Sequence, residues 1–106
     1  LLNPTAEISV DEDAPLVTGT GVTLKAYDSA GGSFDIDSGG YLWYLTNKPS
    51  GSATRLNEEG VVTAEFIPDE AGTYTVELVV LSTGNASEFL FSEPASLTFE
   101  ITEATP

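Results

Sequence analysis

A turn that ends in tyrosine constrains this chain more than any other feature. Asp69-Glu70-Ala71-Gly72-Thr73-Tyr74 runs straight into Thr75-Val76-Glu77-Leu78-Val79-Val80. The second half alternates, the period-two signature of a strand with one buried face. A Tyr at the start of such a strand can send its hydroxyl back to backbone a few residues upstream and pin a corner between two packed sheets. The run therefore predicts a corner at 69–74, with Tyr74, Val76, Leu78 and Val80 pointing inward. Asp69, Gly72 and Tyr74 are read as structural.

The same alternation recurs along the chain, and helical periodicity is nearly absent. Ala6, Ile8 and Val10 alternate with Thr5, Glu7 and Ser9, an edge strand after Pro4. Val22, Leu24 and Ala26 alternate with Thr23, Lys25 and Tyr27. Residues 28–40 are rich in Gly, Ser and Asp and read as a long loop. Tyr41-Leu42-Trp43-Tyr44-Leu45 follows as a strand, with Trp43, the only Trp, expected at the centre of the core. Ala53 to Leu56 reads as a further short strand. Val62, Ala64 and Phe66 alternate with Thr63, Glu65 and Ile67 up to Pro68. Residues 88–92 form a short strand interrupted near Pro94, and Leu97, Phe99 and Ile101 close the pattern. About seven strands with turn signals between them predict an all-β, seven-stranded antiparallel sandwich of Ig-like type. The 106 residues are expected to form one domain, with its core at about 4–102 and linker-like ends.

Composition narrows the chemistry. One Trp, four Tyr and five Phe argue against disorder. Seventeen acidic residues against three basic ones give a net charge of −14. Nucleic acid is not expected as a partner, because phosphate binding needs Lys and Arg to release counterions. Insertion into a membrane is not expected either, since no apolar run approaches the length of a span. The chain has no Cys and no His, so it holds no disulfide, no Ser-His-Asp triad and no His-based zinc site. Its acids fall at turns and outward strand positions rather than in pairs flanking a cleft, and no enzyme activity is expected.

Two constellations remain as candidates. Asp35 and Asp37 lie in the long loop, and Asp11 and Asp13 sit in an acidic stretch at what could be the same end of the sandwich. Calcium takes six to eight oxygens, which alternating Asp residues on a turning backbone can supply. The bland alternative is a solvated turn whose Asp side chains bond local amides. The spacing departs from an EF-hand, since Thr46 stands where the twelfth-position Glu would. Tyr41, Tyr44 and Phe89, with Leu90 and Phe91, are more apolar than alternation requires. They read either as a patch for stacking on sugar rings or docking a neighbour, or as an extension of the core that hides Phe89 and Phe91. The core extension is the preferred expectation. Asn85-Ala86-Ser87 matches a glycosylation acceptor.

Four segments together resemble the polycystic kidney disease (PKD) domain. Gly21-Val22-Thr23-Leu24 with Ala26, Asp28 and Ser29 resembles its second strand and the polar turn after it. Phe34-Asp35-Ile36-Asp37-Ser38-Gly39 is similar to its Ser-x-Asp-x-Asp-Gly loop. Tyr41-Leu42-Trp43-Tyr44-Leu45 with Pro49-Ser50-Gly51-Ser52 resembles the variant with a Trp-x-Leu core and a Pro-x-Gly-Ser turn. Phe66-Ile67-Pro68-Asp69-Glu70-Ala71-Gly72-Thr73-Tyr74-Thr75-Val76 resembles its Phe-x-Pro-Asp-x-x-Gly-x-Tyr-x-Val stretch. The chain departs from the commoner Trp-Asp-Phe-Gly-Asp-Gly run, and Phe34 stands where the family usually has Ser. The resemblance implies an extracellular, non-catalytic module of a larger secreted or cell-surface protein. Its expected partners are neighbouring domains and a protein or polysaccharide ligand, and some members bind calcium. The alternatives are a carbohydrate-binding module using Tyr41, Tyr44 or Phe89, and a calcium-stiffened adhesin repeat using the Asp residues above.

Overall fold

The computed structural model describes residues 2–10, 16–56, 60–83 and 89–104. Its longest element is built from the alternating run that follows the predicted corner. Seven strands are present among the described residues: β1 Ser9–Val10, β2 Val22–Lys25, β3 Tyr41–Asn47, β4 Thr63–Phe66, β5 Gly72–Ser82, β6 Leu90–Phe91 and β7 Ala95–Ile101. They form two antiparallel sheets, one ordered β1-β2-β4 and one in which β5 lies between β3 and the pair β6 and β7. No helix occurs among the described residues.

Alternation decides which side chains meet between the sheets. Val22 and Leu24 of β2, Ala64 and Phe66 of β4, Trp43 of β3, and Tyr74, Val76, Leu78 and Val80 of β5 are all buried, with Phe99 and Ile101 of β7. Each Val, Leu, Ile or Phe side chain removed from water in this way contributes on the order of 1.5–3 kcal/mol. Trp43 sits opposite Leu78 in the register and its indole N–H donates to the Val61 carbonyl at 2.7 Å, so the ring is buried without an orphaned donor. At one end of the core Phe66, Tyr74 and Phe99 pack together, with ring centroids 5.7–6.3 Å apart.

Three expectations are corrected. Residues 53–56 are not a strand. Thr54 is buried there and bonds through its side chain instead: its hydroxyl shares its one proton between the Ile67 carbonyl at 2.9 Å and the Asp69 carboxylate at 2.7 Å, and accepts the Asp69 N–H at 3.0 Å. Those bonds tie the segment to the end of β4 without a ladder. The expected strand over 5–10 pairs as a ladder only at Ser9–Val10, while Thr5 makes an isolated bridge with Ala30. Phe89 and Phe91 do not extend the core; they are 65% and 48% exposed. Strand parity explains Phe91. It pairs with Leu81, an outward position of β5, and so faces out with it.

The final strand is broken near Pro94, as its missing N–H predicts. β6 pairs with the end of β5 and β7 with its beginning. At the break the buried Ser92 replaces the ladder: its hydroxyl accepts the Val80 N–H at 2.9 Å, and its own N–H donates to the Val80 carbonyl at 2.9 Å.

Past β1, the chain reaches the other sheet. Val17 forms a parallel bridge with Thr102 just beyond β7; the Thr18 N–H donates to the Thr102 carbonyl at 2.9 Å and the Thr102 N–H to the Leu16 carbonyl at 3.1 Å. The first segment therefore serves both sheets. The two ends of the described chain lie at opposite poles. Leu2 and Asn3 bond to Ser33 and to the Phe91 carbonyl, beside the last residues of β5. Thr102 and Ala104 bond to Leu16 and Thr18, beside Gly72 at its first residue. The long axis of the molecule measures 52 Å, against 26 and 17 Å for the other two.

Candidate functional site

The residues read as structural are drawn together at the start of β5. The Tyr74 hydroxyl donates to the Glu70 carbonyl at 2.7 Å and accepts the Glu70 N–H at 3.3 Å, which closes the corner. Asp69 holds the adjoining turn. Its carboxylate accepts the Ser52 hydroxyl, the Ala53 N–H at 2.7 Å and the Thr54 hydroxyl at 2.7 Å. These donors stabilise the ionised form and hold the Asp69 pKa well below the usual carboxylate range, with the Ser52 bond the largest cause. Asp69 lies at the surface, so hydrogen bonding rather than burial sets the shift. Gly72 adopts φ +142°, and a Cβ there would stand 2.7 Å from the Pro49 Cγ. The Pro49–Ser52 turn and the 69–74 corner thus fit against each other through a side-chain-free position.

The acidic candidates are placed differently. Asp37 is bonded across to the end of β5: its carboxylate accepts the Thr83 N–H at 3.1 Å and the Thr83 hydroxyl at 2.7 Å. Its backbone N–H donates to the Leu81 carbonyl and its carbonyl accepts the Gly40 N–H. It therefore extends the pairing of β3 with β5 by side-chain bonds to a residue 46 positions along the chain, rather than by the local amide bonding weighed against calcium. Asp35 is exposed. Asp11 and Asp13 lie outside the described residues. Among the described residues no three His, Cys, Asp or Glu side chains gather as a metal ion requires.

The aromatic candidates divide between two faces. Tyr41 pairs with the buried Val80, lies half-buried and packs against the core. Tyr44, an odd number of residues further along β3, points the other way and is exposed. Phe89 is exposed beside β6. The structure thus separates Tyr41 from the other two.

Tyr44 belongs to a patch that the sequence reading did not assemble. On the outer face of the four-stranded sheet, Leu42 pairs with Val79, Tyr44 with Glu77, and Phe91 with Leu81. Leu42, Val79 and Leu81 are half-buried, and Tyr44 and Phe91 are exposed. The same face turns polar toward the start of β5, where Thr75 bonds Thr98 across the strands at 3.0 Å and the Thr73 hydroxyl bonds the Glu100 carboxylate. No Lys or Arg occupies an outward position of β3, β5, β6 or β7. One signal in the sequence points to the patch: the outward series of β5 runs Thr73, Thr75, Glu77 and then changes to Val79, Leu81. On β3, Leu42 and Tyr44 stand 37 and 33 positions before their partners Val79 and Glu77, and Phe91 of β6 pairs back onto Leu81, so only the register brings them together. In comparisons with known proteins, no protein-family model, curated protein or solved structure matches this chain.

Proposed function

We propose that this chain is a non-catalytic spacer and interaction module of a larger extracellular protein, a sandwich of PKD type. The observation that carries the reading is the placement of the chain ends. Leu2–Asn3 and Thr102–Ala104 lie at opposite poles of a body 52 Å long. A polypeptide that enters at one pole and leaves at the other is lengthened by the whole domain, which is what a spacer needs.

The resemblance to PKD domains rests on the four sequence segments, and two of them carry side-chain bonds that suit a structural role. Trp43 is bonded to Val61, Asp69 to the 52–54 turn, and Tyr74 to Glu70. The lack of His and Cys supports a role other than catalysis. The extracellular placement follows from the resemblance.

Small-angle scattering of the chain concatenated with itself tests the spacer reading. Each added copy should lengthen the particle by an amount close to the 52 Å long axis. Copies that fold back on one another, with a length that hardly grows, would overturn it.

A further inference from the structure

Resting on the reading of this chain as an interaction module, we propose that the apolar half of the outer face of the four-stranded sheet docks a protein surface with an apolar centre and a Lys- and Arg-rich rim. The face is Leu42, Tyr44, Val79, Leu81 and Phe91, contributed by β3, β5 and β6. An outward sheet face that packs on nothing is normally polar along its length. Here the same strands provide the comparison: the half near Gly72 carries Thr and Glu, and the half near Ser82 carries aliphatic and aromatic side chains. Aromatic enrichment with few charges is the composition of an interface centre.

Charge selects the occupant. Glu77 sits beside Tyr44 and Ser96 within the face, and Glu93 lies exposed at the break after β6. With no cation at an outward position and a net charge of −14, the surface repels nucleic acid, acidic polymers and a second copy of itself. It attracts and orients a cationic partner, whose basic rim would meet the carboxylates while its centre covers the rings. Size sets the strength. Three strands and about four residues of rise span on the order of 200 Å², against about 800 Å² per partner in a standard stable interface. The contact is therefore transient and salt-sensitive, and it is not the seat of a permanent dimer.

Chemical-shift mapping on the isotopically labelled chain tests the proposal with three probes: a short Leu-Phe-Leu peptide flanked by Lys pairs, the same peptide flanked by Glu, and a neutral cello-oligosaccharide. The Lys-flanked peptide alone should shift the amides of Leu42–Tyr44, Glu77–Leu81 and Phe91, and added salt should reverse the shifts. Tyr44→Ser and Phe91→Ser, on separate strands, should each weaken it about tenfold, the loss of a central ring in an interface. A silent face, shifts confined to other acidic segments, an equal response to the Glu-flanked peptide, or variants that bind like the parent would each overturn the proposal. A response of this face to the oligosaccharide alone would overturn it in favour of a glycan platform. None of these outcomes changes the scattering length, so the docking face and the spacer reading stand or fall separately.

Discussion

The Tyr74 hydroxyl and the Glu70 backbone bond to each other twice, donor to carbonyl at 2.7 Å and N–H to hydroxyl at 3.3 Å. The ring itself is fully buried between Phe66 and Phe99. Tyr74→Phe keeps the ring and deletes both bonds, leaving the Glu70 carbonyl and N–H without this partner. It should destabilise by about 1–3 kcal/mol in chemical denaturation. A midpoint equal to that of the parent chain would show that the corner is held by ring packing alone.

Asp69 gives a pH dependence of known sign. Its folded pKa is depressed by donors from Ser52, Ala53 and Thr54, while the unfolded chain has the ordinary value of about 3.9. The stability this provides is complete above that unfolded value and is lost progressively as the pH falls toward the folded one. Asp69→Asn should therefore melt lower than the parent at neutral pH, and the gap between them should narrow as the solution is acidified below about pH 4. The other carboxylates are common to both chains, so the difference isolates Asp69. A gap independent of pH would refute the assignment.

Gly72 combines a positive φ with a close neighbour. Gly72→Ala meets two separable obstacles, the backbone at +142° and the Pro49 Cγ at 2.7 Å. It should cost more than about 1 kcal/mol. Adding Pro49→Ala should relieve the contact and recover only part of the loss. Full recovery in thermal melts would mean that the backbone conformation carries no strain.

Ser92 is the substitute for the missing ladder beside Pro94. Its hydroxyl accepts the buried Val80 N–H at 2.9 Å. Ser92→Ala leaves that donor unpaired and should cost about 1–3 kcal/mol, with faster hydrogen exchange at the Val80 amide. Ser92→Thr, which retains the hydroxyl, should restore most of the protection. Unchanged exchange in Ser92→Ala would rule out the bond as the source of order at the break.

Much of the strand content was legible because a half-buried strand writes its environment into a period of two. That period points Tyr74, Val76, Leu78 and Val80 inward, and all are buried. The rule failed at Phe89 and Phe91 because a two-residue strand has no period long enough to reveal its phase. Its face is set by pairing with Leu81 and Ser82. It failed again at residues 53–56, where Thr54 satisfies the backbone at the end of β4 through its hydroxyl, a bond no alternation pattern records. Composition alone groups Tyr41 with Tyr44, but their odd spacing places them on opposite faces.

By itself, then, the sequence determined the all-β character, the corner at Asp69–Tyr74, the central Trp43 and the chemistry that is ruled out for want of His and Cys. Each of these depends on residue identity or on neighbours a few positions apart. The tertiary structure alone decided that Val17 meets Thr102, that Asp37 is bonded to Thr83, and that Leu42, Tyr44, Val79, Leu81 and Phe91 share one face. The physical reason is that these partners are distant along the chain. Which of them meet is set by strand register and by the packing of two sheets, and burial of the core selects both at once.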